Sequence, residues 1–145
     1  EMCIETGYTS TEADPRGIEA DGNLDGIYPD HLRQSDFAVE NMTIVNNAAN
    51  TTDNADRMQD VIKIRRGAKT TITNALVKGS GGTIDLIDMN DSKGAGNAAS
   101  SISITYTLNF KNKLNGTLNT FTEPTTNTGA DASLFTWSGY NFSSL

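Results

Sequence analysis

Two series of short β-branched segments recur along this chain, and nothing constrains its fold more. In the first, Val39 to Ile44 (VENMTI) matches Ile72 to Val77 (ITNALV), each with an asparagine two places after a β-branched residue, and Ser101 to Ile104 (SISI) is a weaker third copy. In the second, Gly17 to Ala20 (GIEA), Val61 to Ile64 (VIKI) and Thr83 to Leu86 (TIDL) share an apolar–polar alternation of period two. The two series alternate along the chain, which marks an internal repeat. Ile62 and Ile84 are 22 residues apart and Ile18 and Ile62 are 44 apart, the excess falling in polar loops at 21–36 and 46–59.

These facts predict an all-β fold, a right-handed parallel β-helix (β-solenoid) with long polar loops. Each turn of roughly 20 residues contributes strands that pair with the same strands one turn away, about 4.8 Å off. Ile18, Ile62 and Ile84 are expected to form one inward stack, and Ala20, Ile64 and Leu86 another. Glu19, Lys63 and Asp85 then form an outward column that alternates acid, base, acid, so opposite charges face one another. Asn41 over Asn74 is the arrangement of an amide ladder. Ile62 stacked on Ile84 is the contact on which this solenoid is staked.

At 145 residues the chain reads as one domain. Residues 1–13, with a strand candidate at Met2 to Ile4, are the stump of a preceding turn; 14–110 hold the β-helix turns; 111–145 are loop and cap. Hydrophobic residues make up only 36% of the chain, and Thr, Asn, Ser, Asp and Gly dominate, so helix is expected to be scarce. Aromatics concentrate in Leu134 to Phe142 around Trp137, a segment expected to fold over the open apolar end as an aromatic C-terminal cap. The alternative role for these rings is a platform for a sugar.

A net charge of −7 without a basic stripe excludes nucleic-acid binding, and no apolar run is long enough to span a bilayer. The chain opens at Glu1, which suggests a processed or partial chain, secreted or at the cell surface. The lone Cys3 is a free thiol or the partner of another segment or chain. Asn-x-Ser/Thr sequons, among them Asn41, Asn50, Asn115 and Asn141, are what an Asn- and Thr-rich chain gives by chance.

Through Asp14 to Asn23 (DPRGIEADGN), Val61 to Ala68 (VIKIRRGA) and Ile84 to Asp88 (IDLID), the chain resembles the C-terminal part of secreted bacterial right-handed parallel β-helix proteins of pectin-lyase-like fold. The resemblance covers roughly 14–110 and implies a fold rather than an activity, since that fold hosts lyases, hydrolases, adhesins and fibres. Sugar-cleaving members use several aspartates beside a His-containing motif, or calcium with a basic proton acceptor. His31, the only histidine, lies in a Pro-Asp-His-Leu loop outside any such motif, and no Asp-Asp pair occurs.

Two groups of candidate site residues remain. Asp21, Asn23 and Asp25 match the opening of a calcium loop, with Asp30 as substitute for a closing acid because the twelfth position is Leu32. Asp88, Asn90 and Asp91 are a second oxygen cluster. Arg65 and Arg66 beside Asp85 and Asp88 resemble the lyase pairing of arginine and carboxylates in a lateral groove, against the reading of Glu19, Lys63 and Asp85 as a structural ladder. Together these predict a non-catalytic extracellular structural or adhesive module that self-associates into fibres or joins missing parts of its own polypeptide. The alternative is a β-helix that binds or cleaves acidic extracellular polysaccharide, with calcium as the one cofactor expected.

Overall fold

Alternating segments become strands where every second side chain can be buried while its neighbours stay wet. The computed structural model describes residues 15–23, 34–47, 58–81 and 83–139. They form β1 (Ile18–Asp21), β2 (Asp36–Asn46), β3 (Met58–Arg65), β4 (Lys69–Gly79), β5 (Thr83–Asp88), β6 (Ser101–Tyr106), β7 (Asn112–Asn115) and β8 (Thr120–Thr122), then a 3-10 helix at Ala132–Ser138. The odd strands make one sheet, β1-β3-β5-β7, and the even strands another, β2-β4-β6-β8. Every neighbouring pair within them is parallel. The chain passes from one sheet to the other and back, adding one strand to each per rung, as in a parallel β-helix. Ile62, Ile64, Ile72, Leu86, Ile87, Ile102 and Ile104 are fully buried in one apolar cluster, each worth about 1.5–3 kcal/mol of transfer free energy.

The expected register holds between the first two rungs and slips by three residues at the next. Ile18 lies opposite Ile62, Glu19 opposite Lys63 and Ala20 opposite Ile64. On the other side of β3, however, Ile62 lies opposite Ile87 and Lys63 opposite Asp88, so neither Ile84 nor Asp85 takes its expected place. Leu86 correspondingly leaves the Ala20–Ile64 stack. The apolar count explains the slip. Pairing Ile62 with Ile84 would put Ile87 in the outward column beside Arg65, whereas the observed register leaves Leu86, Ile87 and Met89 all buried. Ile62 therefore stacks on Ile87 rather than on Ile84, while the pairing stays parallel across both sheets.

Sheet β2-β4 bends at its asparagines. Partners run from Glu40–Thr73 directly to Met42–Ala75, and between them Asn41 and Asn74 have φ of 57° and 52°. This left-handed region excludes most side chains but tolerates asparagine, whose short amide bonds locally. Asn74 Nδ2 donates to Asn41 Oδ1 at 2.8 Å, the expected amide ladder. The third rung is one residue shorter: Ile102 faces Ile72 and Ile104 already faces Ala75. Asn127 to Ala130 fill the place where a third asparagine would stand. Asn127 Nδ2 donates to Ser103 Oγ at 3.2 Å, the backbone N–H groups of Thr128 and Gly129 donate to Asn74 Oδ1 at 2.7 and 3.2 Å, and that of Ala130 donates to Thr43 Oγ1 at 2.9 Å. These residues form a strap running back across the rungs.

The C-terminal third differs from expectation twice. The stretch 111–131, read as loop, contains β7 and β8, which continue both sheets. Trp137 does not close the apolar interior: it is 81% exposed, and no residue of the 3-10 helix is buried. Tyr106, Phe110, Leu114, Leu118 and Phe121 pack against the core instead, with Tyr106 and Phe110 edge to face at 5.3 Å. The strand candidate at Met2 to Ile4, Cys3, the sequons at Asn50 and Asn141, and the cap residues beyond Gly139 lie outside the described residues. Among the described residues no helix is long and apolar enough to cross a membrane.

Asn74→Ala forfeits both the left-handed tolerance, about 1–2 kcal/mol, and several hydrogen bonds at about 1 kcal/mol each. Urea unfolding is expected to show a loss of about 4–5 kcal/mol for Asn74→Ala, with smaller losses for Asn74→Gly, which keeps the left-handed bend, and for Asn41→Ala, which gives up the bend but only a single hydrogen bond. Equal losses at Asn41 and Asn74 would contradict the strap's dependence on Asn74.

Candidate functional site

The register of sheet β1-β3-β5-β7 places its charges in columns. Asp60 on β3 faces Asp85 on β5, and Asp85 faces Asn112 on β7. Lys63 lies between Glu19 and Asp88, and Arg65 lies opposite Asp21. Asp60, Lys63, Asp85 and Asp88 are all buried, which is costly for a charge unless a partner accompanies it. Each has one. Arg16 Nε reaches Asp60 Oδ2 at 2.5 Å, Lys63 Nζ bonds Asp88 Oδ2, and Asn112 Nδ2 donates to Asp85 Oδ1 at 2.6 Å. Burial pushes the Asp60 carboxyl above the ordinary 3.8, and Arg16, followed by Lys63, only partly offsets this.

Beyond β3 the chain turns a tight corner at Arg66 and Gly67, with φ of 55° and 82°. Backbone bonds fasten three turns there: Gly22 N–H to the Arg65 carbonyl at 3.1 Å, Asn23 N–H to that of Arg66 at 3.2 Å, and Gly67 N–H to that of Ala95 at 2.9 Å. Gly22 is required, because a Cβ there would lie 1.7 Å from the Arg66 carbonyl oxygen. Arg65 forms a two-pronged pair with Asp21, at 2.5 and 3.1 Å, and also meets Glu19 and Asp91. Arg66 Nε contacts Asp91 Oδ1 at 3.3 Å. The Asp91 carboxyl is held below its usual range, first by the Lys93 backbone N–H and then by Arg66. A hollow of about 210 Å³ opens beside them, lined by Asn23, Gln34, Arg66, Gly67, Lys93, Gly94 and Ala95.

The candidate groove of Arg65, Arg66, Asp85 and Asp88 is thus divided. The arginines meet Asp21 and Asp91 at the corner, while Asp85 and Asp88 face Asn112 and Lys63 within the sheet. Of the calcium-loop candidates, Asp21 is engaged by Arg65 and Asn23 lines the hollow. Asp25, Asp30 and His31 lie outside the described residues. Among the described residues no group of three or more His, Cys, Asp or Glu is placed to hold a metal ion. Of the ladder residues, Glu19 pairs with Arg65 and Arg16 rather than with Lys63. Sequence reasoning overlooked Lys93 and Gln34, which the chain brings to Arg66 from different loops. The sole sequence signal near them is the Asp91-Ser-Lys-Gly94 turn, in which Asp91 Oδ1 accepts the Lys93 N–H at 2.9 Å.

A family model described as a pectate-lyase like beta helix domain matches residues 3–140. No curated protein and no solved structure matches the chain.

Removing one partner of a buried pair leaves a bare charge, so Lys63→Met is expected to destabilise by about 3–5 kcal/mol, with most of the loss recovered in Lys63→Met/Asp88→Leu. Full additivity of the two changes would refute the pairing. Asp60 titrates in the opposite sense to a salt-bridged surface acid. Its folded pKa is raised, so its contribution to stability is present at low pH and is lost as pH climbs from the ordinary 3.8 through the folded value. Asp60→Asn lacks that loss, and the stability difference between variant and wild type should shift toward the variant as pH rises. A flat difference across the acid range would show that burial does not dominate at Asp60.

Proposed function

The chain belongs to the pectate-lyase-like β-helix family, and from that premise we propose that it is a non-catalytic, extracellular polysaccharide-binding module, a right-handed closed solenoid that takes acidic glycan at its Arg66 corner. The observation that carries this reading is the hollow beside Arg66, where two basic residues, Arg66 and Lys93, line one small space with Asn23 and Gln34. A uronate carboxylate suits such a lining, because charge-assisted hydrogen bonds to cations are about twice as strong as neutral ones.

The absence of catalysis is inferred from how the acids and bases are spent. Glycoside hydrolysis needs a protonated acid and a second carboxylate flanking the scissile bond, and elimination needs a basic group near the sugar's acidic proton. Asp60 has the raised pKa of an acid catalyst, but Arg16 binds it at 2.5 Å and both it and Asp85 are buried away from a sugar ring. Arg65 is forked onto Asp21. Neither the strand arrangement nor the family match supports an adhesive, fibre-forming role.

Calorimetry with polygalacturonate oligomers tests the reading. Arg66→Ala and Lys93→Ala are each expected to weaken binding about tenfold or more, as loss of a charged hydrogen bond implies, whereas Lys111→Ala leaves it unchanged. No unsaturated product should appear with or without calcium. Wild-type affinity in Arg66→Ala, or release of unsaturated product, would overturn it.

A further inference from the structure

A lysine ordinarily lays its stem on the protein and keeps its ammonium in water, because desolvating the charge is costly. Lys69 and Lys113, each paired with an acid, follow that habit, with side chains 38% and 58% exposed. Lys63 does not: its side chain is 11% exposed, and that of its partner Asp88 is 10% exposed. The two are Cα partners on β3 and β5, 25 residues apart in the chain, and Lys63 Nζ sits against Asp88 Oδ2. The preceding pair in the same register, Ile62 and Ile87, is fully buried. Glu19, the neighbour of Lys63 on β1, is taken by Arg65 and Arg16, so it does not compete for the amine.

An amine and a carboxyl held in this way are the two halves of an amide. In water such a pair stays ionic, and both the charges and the solvent oppose condensation. Away from water the ions are disfavoured, so a proton passing from Nζ to Oδ2 leaves a neutral amine beside a neutral acid. The amine then attacks Asp88 Cγ. Groups fixed in contact react as though at an effective concentration of about 10⁵–10⁸ M. Asp88 Oδ1 accepts the Asn90 backbone N–H at 2.9 Å, which is the donor that negative charge developing on that oxygen requires. The Nζ–Cγ bond forms, a second proton moves from Nζ to Oδ2, the Cγ–Oδ2 bond breaks and one water leaves. The third proton of the original ammonium stays on the amide nitrogen, so the step balances without any oxidant or co-reactant.

We propose that Lys63 and Asp88 condense into a side-chain amide, an internal covalent staple between β3 and β5, with the Asn90 N–H supporting the oxyanion. Freshly folded protein holds the ion pair, and the amide accumulates from it. With a single cysteine the chain can form no disulfide within itself; the amide limits the unfolded chain as a disulfide would, by closing a loop. The staple is independent of the Arg66 corner.

Intact-mass spectrometry of refolded protein, followed over prolonged incubation, tests this. A species lighter by one water is expected to accumulate, to yield a branched tryptic peptide joining Lys63 to Asp88, and to unfold at higher urea than the unlinked species. Lys63→Arg should keep its full mass, whereas Asp88→Asn, which preserves the side chain's shape, should lose ammonia in place of water. Circular dichroism matching wild type shows that the variants fold, and the branched peptide of the wild type needs no variant. An Asp-Gly succinimide also sheds water, so Lys63→Arg separates the two sources. The proposal is overturned by a wild type that stays at full mass, by water loss that persists in Lys63→Arg, or by fragment ions that place the loss elsewhere in the chain.

Discussion

The side-chain amide of Asn74 is the interaction on which most of this architecture hangs. It allows the left-handed bend that divides β4, hands a hydrogen bond to Asn41 one rung back, and receives two backbone N–H groups from the strap. Parallel strands need long connections, and a parallel coil needs its corners satisfied at every rung, because a buried amide left unpaired costs about 1–3 kcal/mol. Two successive rungs supply that satisfaction with asparagine. The third, one residue shorter, borrows it from Asn127 to Gly129, so the C-terminal segment is tied to the flank of the coil.

The charged sheet solves a different problem. Parallel pairing stacks equivalent positions, and in this register it stacks Asp60 on Asp85, which like-charge repulsion and burial both oppose. Arg16 on one flank and Asn112 on the other relieve it. The same pairing that permits burial occupies Asp60 with Arg16 and Asp85 with Asn112. At the corner, by contrast, Arg66 and Lys93 reach one hollow from separate turns, in a chain whose overall charge is −7.

Much of this was legible in the residues. The matches of Val39 with Ile72, Asn41 with Asn74, and Ile44 with Val77 all recur as strand partners or as the amide ladder, because β-branched alternation and a paired asparagine leave little freedom. The β3–β5 register was not legible, for a plain reason. Val61 to Ile64 finds an isoleucine and then an aspartate at either of two offsets, Ile84 and Asp85 or Ile87 and Asp88, and local charge matching favours neither. What separates them is the burial of Ile87 and Met89, a sum over the whole interior. The exposed place of Trp137 was hidden likewise, since Tyr106, Phe110 and Phe121 had already covered the core. The corner site escaped notice because Gln34, Arg66 and Lys93 are remote in sequence and meet only once three turns are fastened together.

Because the register decides which charges are paired, the decisive measurement is a methyl-resolved nuclear Overhauser spectrum of isoleucine-labelled protein. A cross-peak is expected between the methyls of Ile62 and Ile87, and another between Ile18 and Ile62. A cross-peak from Ile62 to Ile84 in place of Ile87 would contradict that register.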